Sequence, residues 1–352
     1  MKEAIVNVDA TVTVTIQETP IPKPGPHQVL VKVIVAGTNP KDWMFPKALS
    51  RAHNSGDDVA GIVEEVGSEV YEFHKGDRVA GMHCFPEPHG AFGEYAILLD
   101  YMTIRLPDGT SFEEAATIPL ATLTAAFGLS WVLGLPMPWQ RSPEGQTPLI
   151  VYGASTAVAA FGIQLARAAN IHPIIAIGSS NSSFMTEYLD NEKGDCLIDY
   201  RVHKGPEALI KAIRSALTDA GIADGRALHA FDCVSQPGTY DAVLSKVLAG
   251  EPKNGHKPKV ATVLPELNYS SMDPTVDFEQ TYCGLAHEGT EDARRFGAAL
   301  FRSLTQALKY GWFKGHPYEV VPGGLDGVEA AVKESKEGNI KAKKLILKIA
   351  EP

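Results

Sequence analysis

The sequence predicts an α/β protein of two domains, one rich in β-strands and one built on a doubly wound parallel sheet. Three observations lead there. At 352 residues the chain exceeds the roughly 250–300 residues at which a single hydrophobic core stops growing. Its first third alternates apolar and polar residues with the two-residue period of half-buried strands. After Pro119, short apolar strands alternate with amphipathic helical runs, the pattern of a parallel sheet with crossover helices.

Val12, Val14 and Ile16, then Val29, Val31, Val33 and Val35, form alternating strands on either side of a proline-rich turn at 20–26. Stretches 56–67 and 76–80 carry Asp and Gly where tight turns need them, so the first third reads as all-β. Further on, 149–152 is a strand, 157–169 a helix, 174–177 a strand and 184–192 a helix. Strands at 196–198, 227–231 and 259–264 continue the pattern, with helices at 206–217 and 240–248 between them, joined by right-handed crossovers. The C-terminal stretch carries a helix at 324–336 and a strand at 345–349. That strand has no partner in a completed six-stranded sheet and returns to the first domain. The division is therefore 1–120 plus 312–352, and 121–311.

Composition excludes several classes. A net charge of −10 works against polymeric nucleic acid and anionic membranes, and 44% hydrophobic with 21% charged residues is ordinary for a globular protein. The N-terminus has the features of neither a signal nor a transit peptide, so a cytoplasmic location is expected. Pro119 interrupts the apolar stretch 115–135, and no membrane span is expected. Cys84, Cys196, Cys233 and Cys283 are widely spaced without metal or redox motifs and read as free thiols.

The strand at 149–152 runs into Gly153-Ala154-Ser155-Thr156-Ala157-Val158 and a helix. Small residues there let backbone amides approach a pyrophosphate, and a helix N-terminus attracts its charge. Only Gly153 and Gly162 survive of the usual glycine fingerprint, so a turn capped by Ser155 or Thr156 is the competing reading. The sheet pattern downstream favours the nucleotide. Where a site selective for NAD carries an acidic residue, this chain has Ser179, Ser180 and Asn181, donors that suit the 2′-phosphate of NADPH and can also cap the next helix.

These residues, together with Asn39-Pro40-Lys41-Asp42-Trp43, 56–67, 73–79, Gly90-Ala91-Phe92-Gly93-Glu94-Tyr95 and 115–125, resemble the zinc-independent medium-chain dehydrogenases/reductases over nearly the whole chain. Within that superfamily the resemblance is to the quinone oxidoreductase and enoyl reductase branch, and most to fungal stand-alone enoyl reductases that partner polyketide synthases. It implies a GroES-like catalytic domain and a Rossmann nucleotide-binding domain. Zinc-dependent members place a Cys and a Gly-His-Glu segment where this chain has Asn39 and Gly56-Asp57-Asp58, so no metal is expected. His83, Cys84 and His89 read as turn or surface residues.

The implied reaction is hydride transfer from NADPH to an activated C=C, an enone or an enoyl thioester that is free or carrier-bound. The resemblance places Asn39, Lys41 and Thr122 beside the nicotinamide, with Lys41 and Thr122 catalytic. It puts Tyr200 and Val234 at the adenosine, Leu264 and Pro265 at the nicotinamide border, and Lys343 closing the cofactor site. Lys41, Trp43, Tyr282, Cys283 and Gly284 fall on the substrate side. The proline-rich segment 134–145 reads as a packed surface loop, with contact of Met137 and Trp139 to an acyl chain or carrier protein as the alternative. A quinone reductase and a non-catalytic NADPH-binding relative remain open, as do monomer and homodimer.

Overall fold

The computed structural model describes residues 1–143, 145–253 and 255–352; Glu144, in the proline-rich segment, and Asn254 lie outside the described residues. In chain order the strands and helices are β1 Lys2–Val8, β2 Val12–Glu18, β3 Gln28–Gly37, α1 Lys41–Leu49, β4 Asp58–Val66, β5 Arg78–Met82, β6 Tyr95–Leu99, β7 Thr103–Arg105, α2 Phe112–Ala115 and α3 Pro119–Ala126. There follow β8 Leu149–Tyr152, α4 Ala157–Ala168, β9 Ile174–Gly178, β10 Cys196–Asp199, α5 Pro206–Asp219, β11 His229–Asp232, α6 Ser245–Leu248, β12 Lys259–Thr262 and β13 Asp277–Gln280. The chain ends with α7 Leu285–Glu288, α8 Glu291–Lys309, β14 Tyr318–Val321, α9 Val328–Glu337 and β15 Lys344–Lys348.

Two compact units result, residues 1–121 with 284–352, and 122–283. The first holds the hairpin β1–β2 and a seven-stranded sheet in the order β14-β15-β3-β4-β5-β7, with β6 paired to β3. Buried Val29, Val31, Val33, Val59, Val63 and Phe92 form its core, as the two-residue alternation requires. The terminal strand β15 pairs antiparallel with β3, as its want of a partner elsewhere predicted.

The region read as all-β also contains α1. Pro40 presets the backbone, Asp42 stands in the first turn and Ser50 ends the helix at φ 48°. Its apolar residues follow no helical period, so periodicity could not find it.

The second unit is a six-stranded parallel sheet ordered β10-β9-β8-β11-β12-β13. Its strand order reverses between β8 and β11. The predicted helix at 184–192 is a 3-10 helix over Ser180–Tyr188, and the sixth strand, β13, had no distinct sequence signal. This unit ends at Cys283, not at 311. Helix α8 belongs to the first unit because Arg302 donates to the carbonyls of Thr103 (2.9 Å) and Asp100 (3.1 Å), and the Thr305 hydroxyl to that of Arg105 (2.9 Å). Pro119 starts α3 and does not break the apolar run. The helical stretch Phe112–Val132 is long and apolar enough to cross a membrane, yet 83% of its most apolar window is buried inside the protein.

Candidate active site

Because β8 to β12 run parallel, the segments after their C-terminal ends share one edge of the sheet, and ligands bind where strand order reverses. This edge carries Gly153 to Val158, Ser179 to Asn181, Tyr200, Val234, and Leu264 with Pro265. Gly153 has φ +87°, and a Cβ on it would lie 2.5 Å from Val234 Cγ2, so only glycine keeps this approach open. Thr156 caps α4, its hydroxyl accepting from Ala159 N at 3.2 Å. Ser155, Ala157 and Val158 are half-buried, which leaves the first-turn amides within reach of an anion.

At the end of β9 the capping reading is realised. Ser179 Oγ accepts from Asn181 N (3.3 Å), and Ser182 Oγ accepts from Ser179 N (3.1 Å). Sequence reasoning missed the cation at this corner. Arg201 donates to Ser180 Oγ and pairs with Asp199 at 3.3 Å, because Asp199 lies opposite Gly178 in the parallel register. Tyr200 is exposed, its ring stacked 6.4 Å from that of Tyr152. Tyr282, Cys283 and Gly284 follow the end of β13, Tyr282 exposed, Cys283 half-buried and Gly284 leading into α7.

The first unit gathers its charges at the starts of α1 and β4. Lys41, 12% exposed, pairs with Asp57 (2.7 Å), donates to the Ser55 carbonyl, approaches Asp42 (3.5 Å) and lies 4.6 Å from the centre of the Phe85 ring. His83 is buried, with Nδ1 3.2 Å from Asp57 and Nε2 3.1 Å from the Pro88 carbonyl. Burial acts to raise the Asp57 pKa, but Lys41 and His83 outweigh it and hold the carboxyl below its usual range. Asp42 goes the other way. Its burial, opposed by Lys41 and reinforced by Asp57, pushes it up to about 7.

The neighbouring aspartate has its own lysine. Lys344, buried, donates to Asp58 Oδ2 and to Asn39 Oδ1 (3.0 Å), while Asn39 Nδ2 donates to Asp58 Oδ2 (2.9 Å). Asn39, expected beside the nicotinamide, thus has its amide engaged within this cluster. Lys343, expected over the cofactor, is partly exposed and paired with Glu319, and the buried lysine of that run is the next one. Antiparallel pairing of Ile346 with Gly37 sets Lys344 opposite Asn39, a long-range register that composition does not reveal.

Thr122 is fully buried and its hydroxyl has no hydrogen-bond partner among the described residues. Trp43 packs its half-buried ring against the core of the first unit. Burial raises the Cys84 thiol to about 11, and among the described residues no group of three or more His, Cys, Asp or Glu side chains is placed to hold a metal ion. In the proline-rich segment Met137 is buried, so of its two candidate contact residues only Trp139, 43% exposed, stays at the surface.

Residues 25–119 match the alcohol dehydrogenase GroES-like domain. The chain is 39% identical to the trans-enoyl reductase fsr4 of Gibberella fujikuroi, over 93% of this chain and 92% of that protein. It is 27% identical to the enoyl reductase component lovC of lovastatin nonaketide synthase from Aspergillus terreus, over 95% and 92%. A mycobacterial structure complexed with NADPH shares its fold, with a TM-score of 0.73 at 18% identity over 99% of each chain.

Proposed function

The chain belongs to the trans-enoyl reductase branch of the medium-chain dehydrogenases/reductases, and from that premise we propose that it reduces the C=C bond of an enoyl thioester with NADPH and without metal. One observation carries the metal-free reading: the two aspartates at the places of the zinc ligands are buried and each neutralised by a lysine, Asp57 by the partly buried Lys41 and Asp58 by the buried Lys344. Carboxylates held this way are poor ligands for a dication, and the thiolate and imidazole donors that zinc prefers are missing from those positions.

Residues of the second unit fit a phosphorylated dinucleotide. Gly153 and the first turn of α4 suit the pyrophosphate. Ser179, Ser180, Asn181 and the guanidinium of Arg201, which is shared with Asp199, form a donor set for the 2′-phosphate. The orphaned hydroxyl of Thr122 supplies a donor for a carboxamide. When bound, NADPH supplies the hydride that reaches the β-carbon of the enoyl group.

Lys41 then stabilises the charge that develops on the thioester oxygen, and a proton from water to the α-carbon completes the reduction. The Lys41 ammonium is held by Asp57 and the Ser55 carbonyl, so it is oriented before substrate arrives. Asp42 matters to this field: protonated below about pH 7, it no longer adds its negative charge to that of Asp57 beside Lys41. The acyl substrate is proposed to come from a polyketide synthase, since the similar lovC is the enoyl reductase component of lovastatin nonaketide synthase. Oxidation of NADPH in the presence of a butenoyl or hexenoyl thioester tests the reading. Turnover of the thioester supports it, whereas turnover of quinones alone makes the chain a quinone reductase.

A further inference from the structure

The geometry points to Lys344, acting through Asp58 and Asn39, as a positioning residue that holds the turn of Lys41 and the start of the Thr122 helix for reaction. It rests on the enoyl-reductase reading and adds residues to that same site. Asp58 divides its two oxygens. Oδ1 accepts from Leu120 N at 2.7 Å in the first turn of α3, the helix in which Thr122 stands two residues further on. Oδ2 accepts from Lys344 and from Asn39 Nδ2. Asn39 N in turn donates to Asp42 Oδ2 at 2.7 Å, which closes the turn that begins α1 with Lys41.

Both segments that carry the proposed reacting side chains therefore start from one buried ion pair. The packing is specific to it. A Cβ on Gly37 would collide with the Ala116 carbonyl and lie 3.1 Å from both Asp58 Cβ and Lys344 Cε, so the glycine makes room for the lysine stem. His316, buried nearby, is pushed down to about 4 by its burial and by the Lys344 charge. It is neutral at ordinary pH and does not compete for Asp58.

Removing one partner of a buried pair strands a charge, whereas replacing both with apolar side chains is often neutral for stability. That difference separates positioning from mere stabilisation. Lys344→Met is expected to melt about 10 °C lower. The double variant Asp58→Leu with Lys344→Met is expected to regain part of that loss, since it strands no charge but takes the Asp58 acceptor from Leu120 N and Asn39 Nδ2, to bind NADPH as before, and yet to turn over an enoyl thioester about 10²-fold more slowly, the scale of a 1 Å misplacement. Amide exchange in 38–46 and 117–124 should be faster than in the wild type. A double variant that regains turnover along with stability overturns the inference, as does unchanged exchange in both segments. If the wild type reduces no enoyl thioester, the enoyl reading fails, and exchange in these two segments still decides whether the pair positions them.

Discussion

The two polar regions of this molecule handle charge in opposite ways. At the sheet edge of the second unit the groups suited to an anion are backbone amides and exposed side chains, Ser180, Asn181 and Arg201, open to a ligand. At the starts of α1 and β4 the charges are buried or nearly so and already paired, the partly buried Lys41 with Asp57 and the buried Lys344 with Asp58. In the first arrangement Arg201 is shared with Asp199 at the surface, where water screens the pair and a ligand can compete for it. The second is complete in itself, and its value lies in holding groups still in a medium where an unpaired charge is costly. Substitutions in the two regions should therefore differ in kind, changing cofactor affinity in one and turnover or stability in the other.

The largest effect should come from the buried region. Lys41→Met is expected to lower kcat on an enoyl thioester by roughly 10²–10³ with little change in NADPH affinity, the size seen when an oxyanion donor is lost. Steady-state kinetics with cofactor titration checks it, and a loss confined to NADPH affinity would erase the contrast between the regions.

Arg201→Ala should weaken NADPH by about 10-fold and leave NADH nearly unchanged, since a charge-assisted hydrogen bond contributes roughly 1.5–3 kcal/mol and this arginine is largely exposed and shared with Asp199. Ser179→Asp should shift selectivity the same way by adding repulsion. Calorimetric titration of both cofactors measures the split. Equal losses for NADPH and NADH would reduce Ser179 to its capping role.

Asp42 gives the buried region a pH signature. Its folded pKa, about 7, lies above the unfolded value near 3.8, so the folded state holds its proton longer. The stability this contributes is complete below the unfolded value and is lost as pH rises through about 7. Wild type should melt lower at pH 8 than at pH 6, and Asp42→Asn should flatten that slope and any fall in turnover over the same window. Parallel pH profiles of the two proteins would contradict the assignment.

A smaller effect is expected at Thr122. Thr122→Val removes a buried hydroxyl that has no partner among the described residues, so thermal stability should hold or rise. Turnover should still fall about fivefold, the scale of one neutral hydrogen bond. Unchanged turnover with raised stability would make Thr122 a core residue only.

The two regions also differed in how far the sequence disclosed them. The phosphate corner rests on local features: an apolar strand, a small-residue turn and a helix start all lie within 149–168, and parallel pairing brings the other loops to the same edge. Arg201 escaped because it reaches Ser180 only through the pairing of β9 with β10. The paired aspartates stood out in the sequence as the absence of zinc ligands, but their lysines did not. Lys41 is 16 residues from Asp57, and Lys344 is 286 residues from Asp58. Three neighbouring lysines offer no composition signal that tells the buried one from the exposed ones; the register of β15 on β3 decides it. Helix α8 was assigned to the wrong side for a related reason, since its attachment depends on Arg302 and Thr305 reaching carbonyls some 200 residues away.

Lysine–aspartate pairs stand where zinc ligands would be, and enoyl reduction is proposed to proceed without metal. This is tested most directly by the initial rate of NADPH-dependent reduction of an enoyl thioester, measured before and after exhaustive chelation. The rate should be unchanged by chelation; a rate that vanishes with the chelator and returns only when zinc is added back would contradict the account.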